Sequence, residues 1–144
     1  CTEFKHTLSL DVEKQTKEKY ITESALKTIC AFFNTDGGDL VIGVDDNSNI
    51  LGIKNELDKF HKGDPDKFLN TFKDLFKKHI GPEFYPFLDQ KIVEINGMKV
   101  FLVSCKPTEK EVFMNKIDFY VRTTPATDKL EGPSQINYIR TRFG

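Results

Sequence analysis

There is no tryptophan in this chain of 144 residues, and only two methionines and three cysteines. No apolar run approaches the roughly 20 residues that a membrane-spanning helix needs, which excludes an integral helical membrane protein. The cysteines, Cys1, Cys30 and Cys105, are odd in number and scattered, and no CxxC or Cys/His cluster accompanies them. That excludes a disulfide framework and a structural zinc site. Cys30 and Cys105 each sit in an apolar run and read as buried thiols. Glycine (9) and proline (6) are too sparse for a collagen-like or low-complexity chain. An excess of either charge is missing too: 21 Lys and Arg stand against 22 Asp and Glu, a net charge of −1. The chain as a whole therefore exerts no pull on a polyanion.

Phenylalanine is plentiful instead. Thirteen of them supply most of the large core side chains. The charge is also unevenly spread. Residues 1–60 carry 7 basic and 11 acidic side chains, residues 61–104 carry 7 and 6, and residues 105–144 carry 7 and 5. A basic face has to come from the later two-thirds.

Thr2 to Leu10 alternates apolar and polar residues, the mark of a half-buried strand, and residues 11–18 form a charged connector. From about Lys19 the period becomes helical, with Tyr20, Ile21, Ala25, Leu26, Ile29, Cys30 and Phe33 on the inward stripe. Asn34-Thr-Asp-Gly-Gly38 stops that helix. Asp39–Val44 and Ile50–Ile53 read as a hairpin around a polar turn. Asp64-Pro65 announces a second helix that buries Phe68, Leu69, Phe72, Leu75 and Phe76 and ends at Gly81-Pro82. Strands follow at Gln90–Ile95 and Val100–Cys105, joined by Asn96-Gly97, then at Glu111–Met114 and Phe119–Arg122. Pro133 opens a last helix with Ile136 and Ile139 inward. The fold class is α+β: a single mixed domain of about six strands, mainly antiparallel, with three helices.

Glu3-Phe4-Lys5, the stretch from Leu26 through Asn34-Thr-Asp-Gly-Gly-Asp-Leu-Val-Ile-Gly-Val-Asp-Asp46, Gly81-Pro-Glu-Phe84 and Phe119-Tyr-Val-Arg-Thr123 together resemble the Schlafen AlbA_2 domain. The likeness runs over essentially the whole chain. It implies a DNA-binding or more broadly nucleic-acid-binding module, usually N-terminal in a larger regulator or ATPase-like protein. On this reading residues 1–144 are one such domain, excised from a longer chain that starts upstream of Cys1. Its expected setting is cytoplasmic, its partners are DNA or RNA and the remainder of the parent chain, and a homodimer is left open. In Schlafen proteins that cut RNA, three acids hold a divalent cation. The second matches Glu3, the third matches Asp45, and the first would lie upstream of Cys1. The resemblance thus implies a catalytic set of Glu3, Lys5 and Asp45 with Mg or Mn on Glu3 and Asp45, should the domain be an endonuclease. Family members also carry an ATP-binding label, but no GxxxxGK[ST] loop occurs here.

The residues themselves allow plainer readings. Glu3 and Lys5 share a strand face, which suits a metal-dependent nuclease and equally a solvated face with a cross-paired lysine. Asp45 and Asp46 follow a strand directly, where acids make turns or hold a cation, Asp45 being the ligand candidate and Asp46 the turn former. Asp45, Asn47, Asn49 and Glu56 mimic a calcium loop, but Ile50 stands where that loop needs glycine. Gly37-Gly38 is a helix stop with close backbone approach, or a phosphate cradle. His6, His61 and His79 share no ligand spacing. Arg122, within the hydroxyl-rich tract to Lys129, is the best phosphate contact, with Lys129, Arg140 and Arg142 extending the patch. Pairing of Arg122 with a carboxylate on a neighbouring strand is the competing possibility. Thr124-Pro125 departs from the Gly or Ser that family members often carry after this Arg-Thr. A protein-interaction module, in which the charge asymmetry serves a partner domain, is the third functional class.

Overall fold

The computed structural model describes residues 1–123 and 125–144. In chain order these form β1 (Thr2–Lys5), β2 (Leu10–Asp11), β3 (Thr16–Lys17), α1 (Lys19–Asn34), β4 (Gly38–Ile42), α2 (Lys54–Phe60) and α3 (Pro65–His79). After a 3-10 turn at Pro82–Phe87 come β5 (Leu88–Ile95), β6 (Met98–Cys105), β7 (Phe113–Met114), β8 (Asp118–Thr123), β9 (Ala126–Leu130) and α4 (Gly132–Phe143).

Helix α1 lies at the centre. Ala25, Leu26 and every residue from Thr28 to Asn34 are buried, so its C-terminal half is enclosed on all sides. A helix that is apolar all round can only be an interior one. One wall is the four-stranded sheet β1-β4-β6-β5, in which β1 runs parallel to β4 and the other pairs are antiparallel. The second wall is the antiparallel sheet β7-β8-β9. Helix α3 packs beside α1 on the first sheet: the Phe68 and Phe72 rings meet Phe101 of β6 edge-on at 4.9 and 5.0 Å, and Phe76 meets Phe33 at 6.0 Å. Edge-to-face contacts at these distances add to the burial energy of the rings.

Several sequence expectations hold. Asp64 caps α3, its carboxylate accepting the Asp66 N–H with Pro65 in the first turn. Asn96 and Gly97 turn the β5–β6 hairpin with φ of 52° and 78°, the left-handed pair that a tight hairpin needs. Gly37-Gly38 serves close approach: a Cβ on Gly37 would sit 2.6 Å from the Cys105 carbonyl oxygen and one on Gly38 2.7 Å from the Phe32 ring.

Other expectations are corrected. The strand from Thr2 stops at Lys5, because Glu56 captures the next amides: its buried carboxylate accepts the Leu8 and Ser9 N–H groups and the Ser9 hydroxyl. The 11–18 connector holds the small β2–β3 hairpin. The 39–44/50–53 hairpin shrinks to a bridge between Val44 and Ile50, since both edges of β4 are already taken by β1 and β6. Helix α2, only seven residues long, is too short to show a helical period in the sequence. Of the tract after Arg122, Thr123 ends β8 and the residues from Ala126 form β9, while Thr124 lies outside the described residues. Tyr20 is 57% and Ile136 49% exposed, so neither faces the core. On α4 it is Tyr138 that turns inward, onto Phe119 at 5.8 Å.

Asn34 fastens α1 to the second wall. Its amide donates to the Val112 and Tyr120 carbonyls and its side-chain oxygen accepts the Val112 N–H, all at 2.9 Å and all buried. Asn34→Ala leaves two carbonyls and one amide without partners in the interior, and each such group costs of order 1–3 kcal/mol. We expect a loss of about 3 kcal/mol of unfolding free energy in urea titration. A loss below about 1 kcal/mol would show that the clasp is dispensable.

His61 supplies a pH dependence. It is buried between Phe60 and Phe68, and among the described residues its Nε2 has no hydrogen-bond partner. Burial, and then Lys17, push its pKa below the ordinary value. The unfolded chain therefore takes up a proton near pH 6.5 that the folded chain refuses. Stability is complete above that pH and declines as pH falls from about 6.5 toward the lower folded value. His61→Phe should flatten the slope of unfolding free energy between about pH 7 and 5; an unchanged slope would assign it to other groups.

Candidate nucleic-acid interface

The first sheet presents one face to the helices. Glu3 lies opposite Leu40 and Lys5 opposite Ile42, and Leu40 and Ile42 are fully buried beneath α1. Glu3 and Lys5 therefore also point to the helix side, as residues two apart on a strand must share a face. They meet different partners there.

Glu3 accepts the Arg122 guanidinium at 2.6 Å. Arg122 reaches it from β8, lies 5.5 Å above the Phe32 ring and donates a second bond to the Thr127 hydroxyl at 2.9 Å. Its side chain is only 7% exposed. The guanidinium thus ties the edge strand β1 to the second sheet across the flank of α1, the pairing that competed with phosphate contact in the sequence. Two more of the expected phosphate contacts are also engaged. Lys129 bridges Asp118 at 3.0 Å and Glu131 at 3.1 Å, and these bonds raise its pKa. Arg142 donates to the Thr108 carbonyl at 2.8 Å and the Thr35 carbonyl at 3.4 Å while its guanidinium lies 4.4 Å over Phe143. Arg140 is exposed near the C-terminal end of α4. The four cations do not converge on one free surface.

Asp45 is a turn former. Its carboxylate accepts the Asn47 and Asn49 N–H groups and the Asn49 amide, and the Asn49 backbone N–H is the chief cause of its lowered pKa. Asp46, expected as the turn former, lines a cleft with Lys5. A Mg or Mn ion on Glu3 and Asp45 does not fit: Glu3 is committed to Arg122, Asp45 to its turn, and among the described residues no three His, Cys, Asp or Glu side chains gather as a metal site. The calcium-loop spacing dissolves likewise, with Glu56 turned inward on the 8–9 backbone.

The cleft at Lys5 is open, with a volume of about 460 Å³. Phe4, Lys5 and His6 form one side, Leu10 to Glu13 another, and Tyr20, Ile21 and Ser24 of α1 the third. The Tyr20 hydroxyl donates to Asp11 at 2.8 Å, which holds its exposed ring at the rim. Lys5 is half-buried and donates to the Ser24 hydroxyl at 2.9 Å. Among the described residues no carboxylate lies within ion-pair distance of it. Burial lowers its pKa, only partly offset by the more distant Glu3 and Asp46. Desolvation with a lone neutral partner leaves an ammonium that an incoming anion would complete. Ser24 was not visible as a partner from the sequence. The available signal was that Tyr20 and Ser24, one helical turn apart, put two hydroxyls on one side of the helix.

The family model for Schlafen, AlbA_2 matches residues 1–131. The chain belongs to the Schlafen AlbA_2 family. Among solved structures, this AlbA_2 domain is similar to the DIP2311 protein of Corynebacterium diphtheriae, at 14% identity with a TM-score of 0.62, over 99% of the present chain. It spans 27% of the length of that protein. It also resembles the N-terminal domain of a protein of Nitrosomonas europaea whose name relates it to the ATP-dependent DNA helicase RecG, at 19% identity and a TM-score of 0.48, covering 74% of this chain and 62% of the other. No curated protein sequence matches the chain. Among the described residues no helix is long and apolar enough to cross a membrane.

The Glu3–Arg122 pair has a measurable consequence. Removing one partner strands a largely buried charge, which costs several kcal/mol in a dry interior and less where one side is wet, as Glu3 is at 29% exposure. Arg122→Met should lower the unfolding free energy by about 2 kcal/mol, and Glu3→Gln should add little once Arg122 is gone. Strictly additive losses in the double variant would rule the tie out.

Proposed function

We propose that this AlbA_2 domain binds nucleic acid, as one module of a larger protein, and that the ammonium of Lys5 contacts the phosphate backbone. The observation that carries the reading is Lys5 itself: a half-buried cation at the head of an open cleft, with the Ser24 hydroxyl as its bonded partner. The volume of the cleft falls in the range of small-ligand pockets and suits one nucleotide unit. The exposed Tyr20 ring at its rim offers a surface on which a base can stack. The low overall charge is compatible with this, since phosphate contact requires local cations and not a basic protein. A parent chain several times longer, as in the Corynebacterium relative, would bring the further contacts that one small domain lacks.

A protein-interaction role draws on a different region. Leu51 and Met98, both about half exposed, border a groove of about 440 Å³ between α2 and the β5–β6 turn. The two roles concern separate surfaces and do not compete for residues.

The test is equilibrium binding to labelled duplex DNA and single-stranded RNA at low and at physiological salt. Phosphate contacts release counterions, so affinity should fall with added salt. Lys5→Met should weaken binding several-fold without unfolding the domain. No binding at low salt, or an affinity indifferent to salt, would refute the reading.

A further inference from the structure

The first two turns of α1 divide two clefts. Tyr20, Ile21 and Ser24 line the one at Lys5, whereas Lys19, Thr22 and Glu23 line a second one of about 320 Å³. Its other walls are Lys17 and Glu18 from β3 and the loop after it, and Leu75, Lys78 and His79 from the last turns of α3. The β7–β8 turn is clipped onto the same place. The Asn115 N–H donates to the His79 carbonyl at 2.7 Å, and the Asn115 side-chain oxygen meets His79 Nδ1 at 2.7 Å. Asn115 and Lys116 both take positive φ, 55° and 63°. Those two bonds hold a turn of non-glycine residues in a left-handed shape that is uncommon for such side chains. Lys116 is thereby fixed beside the end of α3.

The result is a surface of lysines from three separate elements. Lys17, Lys78 and Lys116 are all exposed. Among the described residues none of the three has a carboxylate within 4.0 Å. Two acids share the cleft, Glu23, which faces Lys19 at 4.0 Å, and Glu18, and a third, Asp74, stands one helical turn before Lys78 on α3. This contrasts with Arg122 and Arg142, which are engaged within the fold, and with Lys129, which is paired with Asp118 and Glu131. Charge-run arithmetic placed the basic face in the later part of the chain, yet Lys17 comes from its acidic first third.

We propose that this surface, formed by Lys17, Lys78 and Lys116 around the second cleft, is a docking site for the phosphate backbone of the nucleic acid, on the other side of α1 from Lys5. The proposal rests on the nucleic-acid reading above and adds to it where the backbone runs. A polyanion, with its evenly spaced charges, matches mobile ammonium groups set on a curved face without fixed geometry, since lysine acts as a point charge and not as a fork. Contact on both sides of one exposed helix end lets a single strand or duplex edge engage Lys5 and the lysine face together.

The experiment is fluorescence anisotropy of the full chain with labelled duplex DNA and labelled single-stranded RNA across a salt series. Lys78→Glu/Lys116→Glu is compared with Lys67→Glu/Lys91→Glu, which changes net charge equally at exposed sites at the far end of α3 and on β5. The expected result is that the first pair weakens binding by about tenfold beyond the control pair and flattens the salt dependence by roughly one unit of slope for each lost contact. If the wild-type chain binds and the two pairs weaken it equally, the docking surface is overturned and the nucleic-acid reading stands. If the wild-type chain shows no salt-sensitive binding, both fall. Unfolding curves for each variant separate loss of contact from loss of fold.

Discussion

A helix that ends in the interior leaves its last carbonyl groups to be answered there, and the C-terminus of α1 is where this fold meets that demand. The Ala31 carbonyl accepts the Thr35 hydroxyl at 2.6 Å, Phe32 the Gly37 N–H at 2.9 Å, and Phe33 both the N–H and the hydroxyl of Thr108. The Asn34 carbonyl takes the Tyr138 hydroxyl at 2.5 Å, and just beyond it the Thr35 carbonyl takes Arg142. The Asn34 side chain meanwhile serves the second sheet. One helix end thus collects the strand that follows it, the 107–112 segment, the three-stranded sheet and the last helix. Each acceptor left open would cost more than an ordinary hydrogen bond returns, because there is no water to replace the partner.

That demand accounts for the distribution of charge. The negative end of the helix dipole favours a cation, and Arg142 fills the role with two carbonyl contacts and a stacked ring. Glu3, on the edge strand, faces the flank of the same helix, and Arg122 meets it there over Phe32. Two of the three arginines in the chain are therefore structural fasteners. Arginine suits this work better than lysine: its fork bonds two acceptors at once and its flat face packs on a ring. Most of the lysines, more strongly hydrated and more mobile, remain outside, Lys5 being half-buried.

How far the sequence could be read follows the same division between local and long-range causes. Helix α1 was legible because its apolar stripe is wide and Asn34-Thr-Asp-Gly-Gly is a local stop. Helix α3 was legible because Asp64 and Pro65 act within four residues of it, and the β5–β6 hairpin because Asn96-Gly97 dictates its own backbone. The 39–53 hairpin failed on a non-local fact: β4 pairs with β1 and β6, so no edge remains for Ile50–Ile53. Strand β1 ended early for a similar reason, since the carboxylate that takes the Leu8 and Ser9 amides lies 47 or 48 positions downstream. At the candidate site, Lys5 was visible as part of a motif, but its partner Ser24 was not. Arg122 was seen as a cation of interest, and what consumes it, Glu3, stands 119 positions away. Spacing along the chain carries no record of such a tie.

A nearly neutral domain can still offer a polyanion a place to bind, provided its charges are sorted by function and not by sign alone. Where guanidinium groups are buried against carboxylates and carbonyls, their positive charge is invisible at the distance of an approaching phosphate. Carboxylates bound to backbone amides, as Asp45, Glu56 and Asp64 are, likewise have part of their charge answered locally. The field outside then depends on the groups left over, and the lysines without a carboxylate neighbour are among these. Net charge weights all of them equally and so misjudges the surface. At physiological ionic strength a charge acts over about 8 Å, so what a surface attracts depends on the charges set locally on it, and the total of −1 over the whole chain says little about any one face.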